Sequence, residues 1–464
     1  MDLPTSDLPT TPDDRWTDIL RHDAMVHLPL MASIVAATFQ GWLKDRIGGP
    51  LPYALSDLCF IVAAAAWFGG MAIRHTPIRG PGAVPAILLA VILVPTLYLL
   101  HPGAPLVVEL AGLRAWAEFP VAALIALTTI RTRGQVRAYV WLILGLCAVT
   151  ATYGILQYRG GADVALGVSD LALQRHGSTV LYAVQGTGTV DFRAFSTFTF
   201  PAPFAGMMVF GILLAAGIVL SPTRPTKLRV LAAILIPLLF VGMTVSGTRA
   251  ALVILLLGLV LLGWYRRLGV RQLVLVPLLL AAFHVGAVLT AGRAVDRFAT
   301  LLLAESQLWG YLISPIVVAA EALGESWFGM GLGRTGVGVP FAIVQSFPSG
   351  YFIFSDGDIG RAAAELGVVG LGLLAAIVFG IVPNVHRAAR GLADTPSADL
   401  ALGIGPLLVA TGVLILIGSP FSSAPHGIMW WFLAGAIIRM AMAGDEQGAT
   451  SEAESHASRG VRAT

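Results

Sequence analysis

The chain has 464 residues, of which 56% are hydrophobic and 12% charged, where a soluble globular domain carries about a quarter charged residues. Its mean hydropathy of +0.81 excludes an ordinary soluble protein and marks an integral membrane protein. The formal charge of +3 reflects basic loops beside membrane spans and calls for no nucleic-acid partner.

Residues 1–25 are rich in Asp, Pro and Thr and lack the basic segment and short apolar core of a cleavable signal peptide, so they read as a disordered cytoplasmic N-terminus. A bilayer core about 30 Å thick takes roughly 20 apolar residues per helix. Such runs lie near 26–43, 54–73, 83–100, 111–130, 138–157, 200–220, 230–246, 249–265, 272–292, 366–382, 401–418 and 427–442. They predict an all-α polytopic membrane protein of 12 transmembrane helices over residues 26–442, followed by a disordered cytoplasmic tail at 443–464. The first run carries His27, Pro29 and Gln40 and either crosses the bilayer or lies in its interface. The fourth is interrupted by Arg114 and Glu118, one helical turn apart and spaced to pair. Cys59 and Cys147 fall inside apolar runs and read as small buried hydrophobes, with no disulfide framework or cysteine-based metal site.

Basic residues in short loops set the orientation. Alternate loops carry Arg74 and Arg79; Arg131, Arg133 and Arg137; Arg224, Lys227 and Arg229; Arg266, Arg267 and Arg271; Arg387 and Arg390. These loops are therefore expected in the cytoplasm, and Lys44 with Arg46 is the exception. Both termini are then cytoplasmic, and the two long polar segments, 158–199 and 293–365, face the outside.

The chemistry-bearing residues gather on that outer side. An arginine at a membrane boundary snorkels, pairs with an acid or binds an anion. Arg249, in TVSGTRAAL, lies in the tight hairpin between the seventh and eighth runs, and Arg193, in DFRAFSTFTFPAPFAG, just before the sixth. Each either anchors a helix end, pairs with an acid such as Asp191, or meets an anionic substrate. The run GMGLGRTGVG places Gly331, Gly333 and Gly336 in a GxGxxG spacing. No strand or βαβ unit surrounds it, so it reads as a turn whose backbone approaches an anion or another helix, not as a dinucleotide site.

The segment SDGDIGRAAAE ends this outer loop. A helix starting at Ser355 makes Ser355 and Asp358 a capping-box-like pair. Asp358, Arg361 and Glu365, at i, i+3 and i+7, share one face, either as a functional stripe or as a solvated ion-pair ladder. Asp356 and Asp358 form an Asp-x-Asp spacing, a weak metal signal, and no metal or other cofactor is expected. His101, His176 and His426 share no metal-ligand spacing.

Three segments resemble the superfamily of bacterial O-antigen ligases and polysaccharide polymerases. RAFSTFTFPAPFAG (193–206) is similar to that family's segment of an arginine followed by small and aromatic residues and a proline. SGTRAALVILLLG (246–258) is similar to its Ser-Arg-Gly-Ala helix start. SWFGMGLGRTGVG (326–338) with DGDIGRAAAELGVVGLG (356–372) is similar to its glycine-rich turn and the end of its large periplasmic loop. The likeness covers roughly residues 50–440 and implies a GT-C-like fold in the bacterial inner membrane. It further implies an inverting, metal-independent glycosyltransferase that takes a glycan from an undecaprenyl pyrophosphate donor at the periplasmic face. Arg193 and Arg249 match arginines that engage the pyrophosphate, a role suited to guanidinium forks.

Ligases of that family carry His-Asn where this chain has Asp356 and Gly357, counting back from Glu365 and Gly367, and the histidine is their proposed base. The departure favours a polymerase joining lipid-linked repeat units for surface polysaccharide over a ligase acting on lipid A core or protein. In this reading Arg193, Arg249 and Arg361 bind pyrophosphate, and Asp356 or Glu365 serves as base. The expected partners are the lipid-linked glycan, an acceptor glycan, the bilayer and other polysaccharide-assembly proteins. A transporter for a lipid-linked sugar is the reading from a different class, expected to show midplane ionisable groups and paired halves.

Overall fold

The structure is a computed structural model and describes residues 23–47, 51–75, 77–100, 105–166, 181–183, 190–265, 275–290, 305–335, 357–413, 421 and 423–461. It is almost entirely helical: α1 (Ala24–Thr38), α2 (Gln40–Ile47), α3 (Leu51–Arg74), α4 (Val84–Tyr98), α5 (Leu106–Leu113), a π-turn (Arg114–Glu118), α6 (Phe119–Thr129) and α7 (Arg133–Leu166). After a small antiparallel hairpin, β1 (Leu181–Ala183) and β2 (Val190–Phe192), follow α8 (Pro201–Leu220), α9 (Thr226–Ser246), α10 (Arg249–Tyr265) and α11 (Leu275–Leu289). The chain ends with α12 (Glu305–Glu325), α13 (Asp358–Ala376), a second π-turn (Ile377–Ile381), α14 (Val382–Leu392), α15 (Ala398–Val413) and α16 (His426–Val461).

Every apolar run in the sequence carries a helix. Among the described residues, seven helices are long and apolar enough to cross a membrane, and an eighth is added if α1 and α2, bent by 61°, count as one span. α4, α10, most of α11 and α15 are apolar but shorter, 10–17 residues. The bend follows Thr38, whose hydroxyl bonds back to the Ile34 carbonyl. There the 197–198 backbone packs against Gly41, where a Cβ would strike Phe198, and the Trp42 amide donates to the Thr197 carbonyl at 2.9 Å. α13 begins at Asp358, with Gly357 as its N-cap, and not at Ser355, which lies outside the described residues. The backbone of α16 continues as helix to Val461, through the tail expected to be disordered; its Ala, Glu and Gln residues are good helix formers.

α8 is the central helix. Its sequence PAPFAGMMVFGILLAAGIVL has no charge on any face, and a helix apolar all round belongs in an interior. It packs against α7, α9, α10 and α15. At its crossing with α15, Gly217 meets the backbone of Gly403 with no room for a Cβ, and a Cβ on Gly403 would press on Leu214 at 3.1 Å, the small-residue contact that lets membrane helices approach closely. α3 is the opposite case: Leu55, Leu58, Ile61, Val62 and Phe68 project outward, a face suited to lipid.

Charged contacts sort to the two ends of this bundle. At one end Asp23 meets Arg74 and Arg131, and Asp399 at the start of α15 takes Arg137 at 3.2 Å and Arg224 at 2.8 Å. Arg74, Arg131, Arg137 and Arg224, from three of the loops grouped by the positive-inside count, are thus gathered by these two acids. The other end holds the starts of α5, α8, α10, α13 and α16, with the candidate site residues.

Candidate functional site

Two clusters make up this end. The first is built on residues 193–200, which run through the bundle without regular structure and have every step fastened. The Ala194 amide donates to the Val245 carbonyl, and the buried Gln157 carboxamide accepts from the Phe195 and Ser196 amides at 3.0 and 2.8 Å. Ser196, at φ +55, donates its hydroxyl to the Thr150 carbonyl, and Thr197 donates to the Thr38 carbonyl. Arg193 is held in turn: its Nε donates to the Ser246 carbonyl at 3.0 Å and its Nη2 to the Thr248 hydroxyl at 3.1 Å.

Arg193 therefore serves the last turn of α9, where carbonyls lack helical donors and a cation is favoured. The same contacts set it beside Arg249. Gly247, in the left-handed region at φ +60, turns the chain sharply, and Arg249 is the first residue of α10. Helix N-termini attract anions, so a guanidinium there adds charge to an end already suited to a phosphate. The side chain of Asp191 falls outside the described residues.

The second cluster is built on the first turns of α13. Glu365 is about 1% exposed, and both its oxygens are occupied. Oε2 accepts from Trp116 Nε1 at 2.7 Å and from Arg361 Nε at 3.2 Å. Oε1 accepts from the Thr335 hydroxyl at 2.7 Å. Arg361 lies over the Trp116 ring, 5.3 Å from its centroid, and its Nη2 donates to the Gly112 carbonyl at 3.4 Å. Its buried Nη1 has no hydrogen-bond partner among the described residues. Of the stripe read from the sequence, Arg361 and Glu365 thus pair in a dry site. Asp358 instead accepts the Phe421 amide through Oδ2 at 3.2 Å.

The glycine-rich turn closes this cluster. Gly367, at φ +62, interrupts α13, and the Met330 and Gly331 amides dock onto the Ala364 and Glu365 carbonyls at 2.8 and 3.3 Å, while the Val368 amide returns to Trp327 at 2.9 Å. Gly329, Gly331 and Gly333 all hold positive φ, and Gly333 abuts Gly112 and Val108 of α5. The run approaches another helix, as its composition suggests, and delivers Thr335 to Glu365. Gly336 and Asp356 lie outside the described residues, as do Arg293, Asp296, Arg297, His101 and His176.

The 421–426 corner bridges the two clusters. Phe421 meets Asp358 through its amide and Trp431 through its carbonyl, and His426 packs between Phe198 and Phe210 beside Gly206. His426 is buried, and its Nε2 is without a hydrogen-bond partner among the described residues. A shallow recess lined by Trp116, Asp358, Phe421 and Trp431 lies at this corner.

Trp116, Thr335, Gln157 and Asp57 were not singled out by the sequence. Trp116 lies midway between Arg114 and Glu118, the local signal nearest to it in the sequence. Among the described residues no three His, Cys, Asp or Glu side chains converge as a metal site. No protein-family model matches the chain, and no curated protein shows significant similarity to it.

Proposed function

We propose that this protein is a polymerase-type glycosyltransferase that acts at the outer face of a bacterial inner membrane on glycan repeat units carried by undecaprenyl pyrophosphate. The observation that carries the reading is the bond from Arg193 to Thr248, which sets two guanidinium-bearing segments, 193–200 and the α9–α10 hairpin, at one point of the bundle. The 12-span layout with both termini inside, and the GT-C-like likeness, belong to this proposal.

In the reaction, a hydroxyl oxygen of the acceptor unit attacks the anomeric carbon of the donor chain from the face opposite the pyrophosphate. The bond from that carbon to the pyrophosphate oxygen breaks, its electron pair leaves with the diphosphate, and the configuration inverts. Arg249 and Arg193 meet the charge that develops on the leaving group, and the start of α10 adds its dipole. Arg361, held by Glu365 and flanked by Trp116, supplies a third guanidinium. Glu365 already accepts three donors, so it positions Arg361, and the hydroxyl proton passes to Asp356. No step calls for a metal.

Purified protein given lipid-linked repeat units alone, with a chelator present, is expected to build a ladder of longer glycans. A product that appears only when lipid A core or a protein acceptor is supplied would make the chain a ligase. The 61° break between α1 and α2 and the charged groups inside the fourth run favour a carrier as the second reading. Passage of lipid-linked sugar across vesicles without any ladder would establish that instead.

A further inference from the structure

The fourth apolar run carries a polar group that glycosyl transfer does not use. Residues Arg114–Glu118 form a π-turn inside the membrane-length stretch Val108–Thr129, a geometry often found at functional positions. One side of the turn presents Trp116 to Glu365. The other presents Arg114 and Glu118 to Asp57, which sits in the lipid-facing helix α3. Arg114 Nη2 lies 2.7 Å from Asp57 Oδ1, and Arg114 Nε donates to Glu118 Oε2 at 3.2 Å.

Two carboxyl groups thus face one guanidinium. The Glu118 side chain is only 10% exposed, and its second oxygen, Oε1, is buried without a hydrogen-bond partner among the described residues. An ionised pair leaves one negative charge unmatched in an apolar setting and Glu118 Oε1 without a donor among the described residues. A hard metal ion is a poor remedy, since it takes about six or more oxygen ligands, whereas two carboxyl groups are present here. A single proton satisfies both the charge and the orphaned oxygen.

We propose that Asp57 and Glu118 together bind one proton at neutral pH and form with Arg114 a neutral cluster within the apolar part of the bundle. The proton is held as O–H on either carboxyl, so the two titrate as a pair. The other titratable and charged groups on the elements around them are His27 on α1, Lys44, Asp45 and Arg46 on α2, Cys59 and Arg74 on α3, Tyr98 on α4, Glu109 on α5, and Arg361 and Glu365 on α13. Glu365 has its own guanidinium, indole and hydroxyl donors. The inference does not rest on the glycosyl-transfer reading.

Infrared spectroscopy of the full-length protein in lipid nanodiscs tests it directly. Wild type at neutral pH is expected to show the carbonyl stretch of a protonated carboxylic acid, shifting when water is exchanged for deuterium oxide. Both Glu118→Gln and Asp57→Asn are expected to lose that band, because either change leaves one carboxylate for one guanidinium and removes the reason to hold the proton. Glu109→Gln is expected to keep it. Absence of the band in wild type, its persistence in both variants, its loss in Glu109→Gln, or its appearance only when sodium is withdrawn would overturn the proposal. The wild-type measurement needs no variant to fold.

Discussion

The two ends of the bundle use the same residues differently. At one end arginines are matched to protein acids: Asp399, about 1% exposed, receives Arg137 and Arg224, and Asp23 receives Arg74 and Arg131. These contacts tie the starts of α7 and α15 to the α8–α9 loop, and the start of α1 to the ends of α3 and α6. At the other end Arg193 donates to a carbonyl and a hydroxyl, Arg249 opens a helix, and Arg361 keeps a buried nitrogen unbonded among the described residues. The first end uses its charges to close loops; the second holds Arg193 by a carbonyl and a hydroxyl, and Arg361 by the Glu365 carboxylate, the Gly112 carbonyl and the Trp116 ring. An arginine saturated by carboxylates has little left to offer a phosphate; Arg361, bound to a single carboxylate, keeps Nη1 without a hydrogen-bond partner among the described residues.

Mutations can break or sharpen this contrast. The largest stability effect is expected for Asp399→Asn, which leaves the buried Arg224 and the half-buried Arg137 facing each other without their shared carboxylate, at a cost of about 3 kcal/mol. Thermal unfolding in detergent would show it, with glycan made per folded molecule unchanged. Glu365→Gln is expected to cost less, about 1–3 kcal/mol, because the amide retains part of the hydrogen bonding. It should nevertheless lower turnover per folded molecule by roughly tenfold or more through a mispositioned Arg361. Equal activity losses in these two variants would erase the distinction between the ends. Gly333→Ala forces a side chain into a left-handed backbone against Val108 and is expected to lower stability by about 1–3 kcal/mol, with Thr335 displaced from Glu365. The smallest effect belongs to Arg74→Ala, whose side chain is 56% exposed beside Asp23; a change within about 1 kcal/mol is expected in the same unfolding assay.

Local signals in the sequence reached much of this. Each apolar run carries a helix, but α12 (Glu305–Glu325) lies inside the 293–365 segment that reads as a polar outer loop, and no apolar run marked it. Arg74, Arg131, Arg137 and Arg224, from three of the arginine-bearing loops, meet through Asp23 and Asp399, and the spacing of Arg114 and Glu118 foretold their pairing. The glycine run was legible as a turn that nestles against a helix. Long-range partners were not. Asp57 sits in an apolar run without any companion nearby in sequence, and only the fold brings Arg114 to it. Asp399 and the arginines it gathers are separated by 262 and 175 positions. Trp116 and Glu365 are 249 apart, and neither residue type announces the other. The helix start at Asp358, three residues past Ser355, was hidden for a different reason: the Gly357 N-cap carries no side chain to signal it.

The central claim is that the guanidiniums at the α9–α10 hairpin receive a departing diphosphate. Replacing Arg249 by Ala and by Lys in cells, then comparing surface glycans on gels at matched protein abundance, tests it most directly. Both variants are expected to lose long-chain glycan, since a lysine cannot reproduce the two-pronged contact, and normal polymer from the alanine variant would contradict the account.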